Sequence, residues 1–127
     1  MSTRSTTKFI FDGTCLVTMY RQMDGYPEGH GKELATFLAG IRRVGYKGPV
    51  GTANGIPCLA AQAVAHFKTE PGGFYLVPEE EAEEWGYEVR ENPDGDWLIK
   101  VLSGYDMIDY FFGTPQEFLE MLEKNDE

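Results

Sequence analysis

An α+β fold built on an antiparallel sheet follows from three features of the sequence. Two β-rich runs flank an Asp-Gly pair near the N-terminus. Two central segments carry apolar residues at helical spacing. A capping signature opens a last helix near the C-terminus. The order is two strands, two helices, a further group of strands and a helix, the pattern of an α+β domain. One domain spans the 127 residues.

Each element has its own reason. Lys8-Phe9-Ile10-Phe11 and Thr14 to Tyr20 are separated by Asp12-Gly13, a pair that tolerates the positive φ of a type I′ hairpin turn. Asp24 to Gly31 holds three glycines and a proline and reads as a loop. Leu34, Phe37, Leu38 and Ile41 then share one face of a helix running from Lys32 to about Val44. Gly45 to Gly55 is glycine-rich and reads as a long flexible connection. Pro57 suits the first turn of a second helix, which extends to about Lys68. That helix is apolar almost all round, so it should be the most buried one, within the chain or in an interface. Phe74 to Val77 is a short strand. Trp85–Glu91 and Trp97–Leu102 form a second hairpin around Asn92-Pro93-Asp94-Gly95, and Asp106–Phe112 adds a strand. Thr114-Pro115-Gln116-Glu117 places an N-cap, a first-turn proline and a capping-box glutamate ahead of the C-terminal helix.

Composition excludes several classes. Hydrophobic residues make up 42% and charged residues 25%, as in a globular fold. No apolar run reaches the roughly 18 residues of a membrane span, and the N-terminus lacks the apolar stretch of a signal peptide. An intracellular, cytoplasmic location is expected, with no membrane partner. Cys15 and Cys58 lie in apolar contexts and read as buried free thiols, outside any disulfide or metal framework. No cofactor is called for. The net charge of −10 argues against binding duplex nucleic acid. It is unevenly placed: residues 1–68 carry a net +4 and residues 69–127 a net −14. An anion site in the first half, charge-complementary contact between subunits, and plain solvated surface are all consistent with this. The run Glu79-Glu80-Glu81-Ala82-Glu83-Glu84 reads as a solvated helical turn rather than a calcium loop, since it lacks interspersed turn residues.

Nucleotide-fold and hydrolase signatures are missing, and His30 and His66 stand 36 positions apart. The informative stretch is Tyr20 to Gly31. It sets Arg21 at a strand end and Tyr26 and His30 in the loop leading into a helix start, where backbone N–H groups favour anions. Arg21 is suited to fork onto phosphate oxygens, His30 to add a hydrogen bond and Tyr26 to stack on a base. The alternative is a tight connection whose Tyr and His simply pack. Arg42 and Arg43 offset the dipole at the end of the same helix. Asn54 lies in a connection long enough to act as a ligand lid. Phe74 and Tyr75 are candidate stacking platforms, and Arg90 completes the ligand-binding set.

From Ser2 to about Leu38 the chain resembles a known family. The shared residues are Ser2-Thr3-Arg4, Phe11-Asp12-Gly13-Thr14, then Tyr20-Arg21-Gln22-Met23-Asp24-Gly25-Tyr26-Pro27 running into Gly29-His30-Gly31. These are similar to the first-described family of phage sponge proteins that counter Thoeris defence. The resemblance implies a non-enzymatic protein that sequesters cyclic ADP-ribose isomers, and in some members cyclic oligonucleotides, in pockets formed between subunits. A homo-oligomer is expected accordingly, with the apolar second helix and the opposed charges of the two halves as contacts. Two other functions fit the residues: an acidic decoy for a basic nucleic-acid-binding protein, and a small nucleotide-cleaving enzyme using Glu or Cys chemistry.

Overall fold

The computed structural model describes residues 2–126. Strands β1 (Ser5–Phe11), β2 (Thr14–Arg21), β5 (Phe74–Val77), β6 (Trp85–Glu91), β7 (Trp97–Ser103) and β8 (Ile108–Gly113) form one sheet in the order β5-β2-β1-β6-β7-β8. Helices α1 (Lys32–Ala39), α2 (Ile56–Phe67) and α3 (Pro115–Asn125) complete the α+β architecture, with the expected C-terminal helix in place. Four of the five strand pairings are antiparallel. The central β1–β6 pairing is parallel, so the sheet is mixed. Two short strands, β3 (Arg42–Arg43) and β4 (Thr52–Ala53), pair separately.

The hairpin turn takes the conformation its residues favour: Asp12 and Gly13 have φ of 50° and 76°. On one sheet face Phe9, Val89, Ile99 and Val101 are fully buried beneath Leu34, Leu38, Leu59 and Phe118 from the helices. Each such side chain contributes about 1.5–3 kcal/mol on leaving water. Thr114 accepts from the Glu117 backbone while Glu117 accepts from the Thr114 N–H, the two halves of the capping box.

Several expectations are corrected. Helix α1 stops at Ala39, five residues short of Val44. Gly40 caps it, and the Trp97 indole donates to the Ile41 carbonyl (2.7 Å), drawing the chain out of the helical path. Arg42 and Arg43 therefore sit in β3 and not at a helix end. The 45–55 connection is tied at its base by the β3–β4 pair. The 24–31 loop is partly helical, because Pro27–Gly31 forms a π-helical turn that runs straight into α1. Helix α2 buries Ile56, Leu59, Ala60, Ala63 and Phe67 but leaves Ala61 and Ala65 exposed, so its apolar character is not matched by burial all round. Cys15 and Cys58 are free thiols, half-buried rather than buried. The acidic run is a turn and extended segment, not a helical one, and Glu83 within it is buried. Burial and the neighbouring Glu81 raise the Glu83 carboxyl pKa, with Arg4 opposing them.

Candidate functional site

Arg21 ends β2 directly opposite Phe74 on β5, and the register places its guanidinium 5.1 Å from the Phe74 ring centre. The chain then turns, with Asp24 at φ 60°. Arg21 Nε donates to the Met23 carbonyl (2.6 Å), while Nη1 donates to His30 Nδ1 (3.2 Å) and to Glu33 Oε2 (2.5 Å). Nη2 has no partner among the described residues.

Arg21 is only a donor, so His30 Nδ1 must be the acceptor and Nε2 carries the proton, donated to Thr7 Oγ1 at 2.8 Å. His30 is fully buried against Phe67 and Tyr87, each 5.3 Å away between ring centres. Burial, aided by the Arg21 charge, lowers its pKa to about 3, so it is neutral at pH 7. Tight backbone packing fixes this turn. A Cβ on Gly29 would collide with the Asp24 carbonyl, and one on Gly25 would lie 2.8 Å from Ser5 Cβ.

Beside this cluster lies a groove of about 650 Å³ between α1 and the end of α2. Lys32, Glu33, Thr36 and Phe37 line it from α1, and His66 and Phe67 from α2, with Thr69 and Phe74 beyond. Phe37 and His66 stack at 4.6 Å with 30° between planes. Aromatic walls with Lys32 and Glu33 at the rim suit a flat heterocycle with polar substituents. A second hollow, about 470 Å³, lies by the β1–β2 hairpin tip. There Lys8 and Arg90 are outnumbered by Asp12, Glu79, Glu88 and Glu91, so an anion is disfavoured.

The structure brings together Arg21, His30 and Phe74 and sets Asn54 and Arg90 apart from them. His30 does not reach solvent, so its place in the site is beneath Arg21 and not against a ligand. Tyr26 is 38% exposed and sits at the start of the π turn. Tyr75 alternates to the other sheet face and packs on Tyr20 at 5.9 Å. Asn54 precedes α2, whose far end carries Phe67 beside His30; twelve residues of helix separate them by about 18 Å. Arg90 lies in the acidic hollow and is ion-paired with Glu88 at 2.9 Å. The N–H groups expected to bind an anion at the start of α1 are not available. The helix continues from the preceding turn, and the Lys32 N–H bonds Gly29 and Pro27 carbonyls.

Lys32, Glu33, Phe37 and His66 were not among the sequence candidates. Phe37 and His66 fall at the edges of two amphipathic helices, a signal that does not separate core from groove wall. Among the described residues no helix is long and apolar enough to cross a membrane. Comparison with protein-family models, curated proteins and solved structures gave no match.

Proposed function

We propose that this protein binds a small cyclic nucleotide of the cyclic ADP-ribose class and holds it unaltered, removing a signal used in bacterial anti-phage defence. The observation that carries the reading is the groove in which Phe37, Phe67 and Phe74 meet Lys32, with Arg21 stacked on Phe74. Aromatic rings supply stacking worth about 1–3 kcal/mol per base. The cations supply charge-assisted hydrogen bonds to a pyrophosphate. The likeness of residues 2–38 to the sponge family supports the same ligand class. On this reading the protein works in the host bacterial cytoplasm as a homo-oligomer, with a second subunit closing the open side of the groove.

The test is incubation with cyclic ADP-ribose isomers and cyclic oligonucleotides, removal of unbound ligand, heat denaturation and analysis of what is released. Intact ligand is expected. In calorimetry Arg21→Ala should weaken binding about tenfold or more, because a charge-assisted contact is lost. Altered ligand would point to an enzyme. Absence of ligand would favour a decoy role for the acidic surface, marked by salt-sensitive binding to a basic protein.

A further inference from the structure

The charge of Arg21 is already answered within the chain. Its side chain is 15% exposed, and Nε and Nη1 are held by the Met23 carbonyl and by His30 from behind. Phe74 supports its flat face. Glu33 is the exposed partner: its side chain is 53% exposed, and it lines the groove, which Arg21 does not. A carboxylate thus occupies the approach to the guanidinium from the groove side.

Building on the nucleotide-binding reading, we propose that Glu33 is a resident anion that caps Arg21 and is displaced by the phosphate of an incoming ligand. With Glu33 in place, Lys32 and Glu33 give the groove no net charge. With Glu33 turned to solvent, Lys32 and Arg21 face the groove together. A dianion binds the second state better, so it draws the carboxylate away by differential affinity. A neutral heterocycle gains nothing from the exchange, so the cap sets a preference for ligands that carry phosphate. The rigid backing of Arg21 by Met23 and His30 means that it stays in place when Glu33 departs.

The test measures binding of inorganic pyrophosphate and of cyclic ADP-ribose to the wild type, Glu33→Gln and Glu28→Gln. Glu28 is an exposed acid on the same helical stretch, outside the groove and without contact to Arg21. Glu33→Gln should tighten pyrophosphate binding by about three- to tenfold, and Glu28→Gln should leave it unchanged. Thermal unfolding should confirm that both variants fold. Pyrophosphate tightened by Glu33→Gln, with no cyclic nucleotide bound by any form, would sustain the cap and refute the nucleotide reading. Cyclic nucleotide bound equally by wild type and Glu33→Gln would do the reverse. Equal gains from both variants would mean a general field effect and overturn the cap. So would weaker binding in Glu33→Gln, or no pyrophosphate binding by any form.

Discussion

His30 shows how a polar residue is accommodated in a core and what that does to stability. Its two ring nitrogens are both bonded, to Arg21 and Thr7, which offsets the cost of burying them. In the folded protein it remains neutral down to about pH 3, whereas in the unfolded chain it takes up a proton near pH 6.5. Between these values the unfolded state binds more protons, so stability falls as the pH falls through 6.5. The expected loss from this residue is about 2 kcal/mol between pH 7 and pH 5. Urea unfolding at the two pH values checks it: His30→Gln should remove most of that difference, and an unchanged difference would refute the assignment. The sequence placed His30 beside Arg21 correctly. It could not show that the histidine lies under the arginine, since a loop reading of 24–31 hides the helical turn that drives the ring inward.

At the level of elements, local signals fared better than long-range ones. The Asp12-Gly13 turn and the Thr114 capping box are written within a few residues and appear as expected. The end of α1 is not. It depends on the Trp97 indole reaching the Ile41 carbonyl from a strand 56 positions away. The same distant turn separates two adjacent arginines that look equivalent in the sequence. Arg43 donates to Glu91 and to the Asn92 and Gly95 carbonyls, fastening β3 to the β6–β7 turn, whereas Arg42 is exposed. Glu91 in turn accepts from the Ile56 N–H at the start of α2. Arg43→Ala should therefore cost about 1–3 kcal/mol in chemical denaturation, and Arg42→Ala less than about 0.5 kcal/mol. Equal effects would show that the fastening carries no energy.

Across the whole molecule, the +4 and −14 halves of the chain are not two lobes. β1 and β2, from the basic half, lie inside the sheet between β5 and β6, from the acidic half. Part of the segregated charge is spent within the chain, as in the Arg43–Glu91 pair, while in the acidic run Glu79 and Glu80 are exposed and Glu83 is buried. Composition could reveal the imbalance but not this interleaving, because only the strand order decides which charges meet. The candidate site was legible where neighbours in sequence are neighbours in space, at Arg21 and His30, and for Phe74. It was illegible where α1 and α2 converge.

The central position of β1 also has a consequence for biosynthesis. Its hydrogen-bonding edge toward β6 stays open until residues 85–89, some eighty positions further along the chain, have emerged from the ribosome. Pairings this remote slow folding, and an open edge with Phe9 beside it invites association between nascent chains. A fragment ending at residue 78 should fail to give a cooperative thermal transition and should be recovered as aggregate. The full chain, refolded from denaturant, should stay monodisperse only after a phase that the isolated first hairpin lacks.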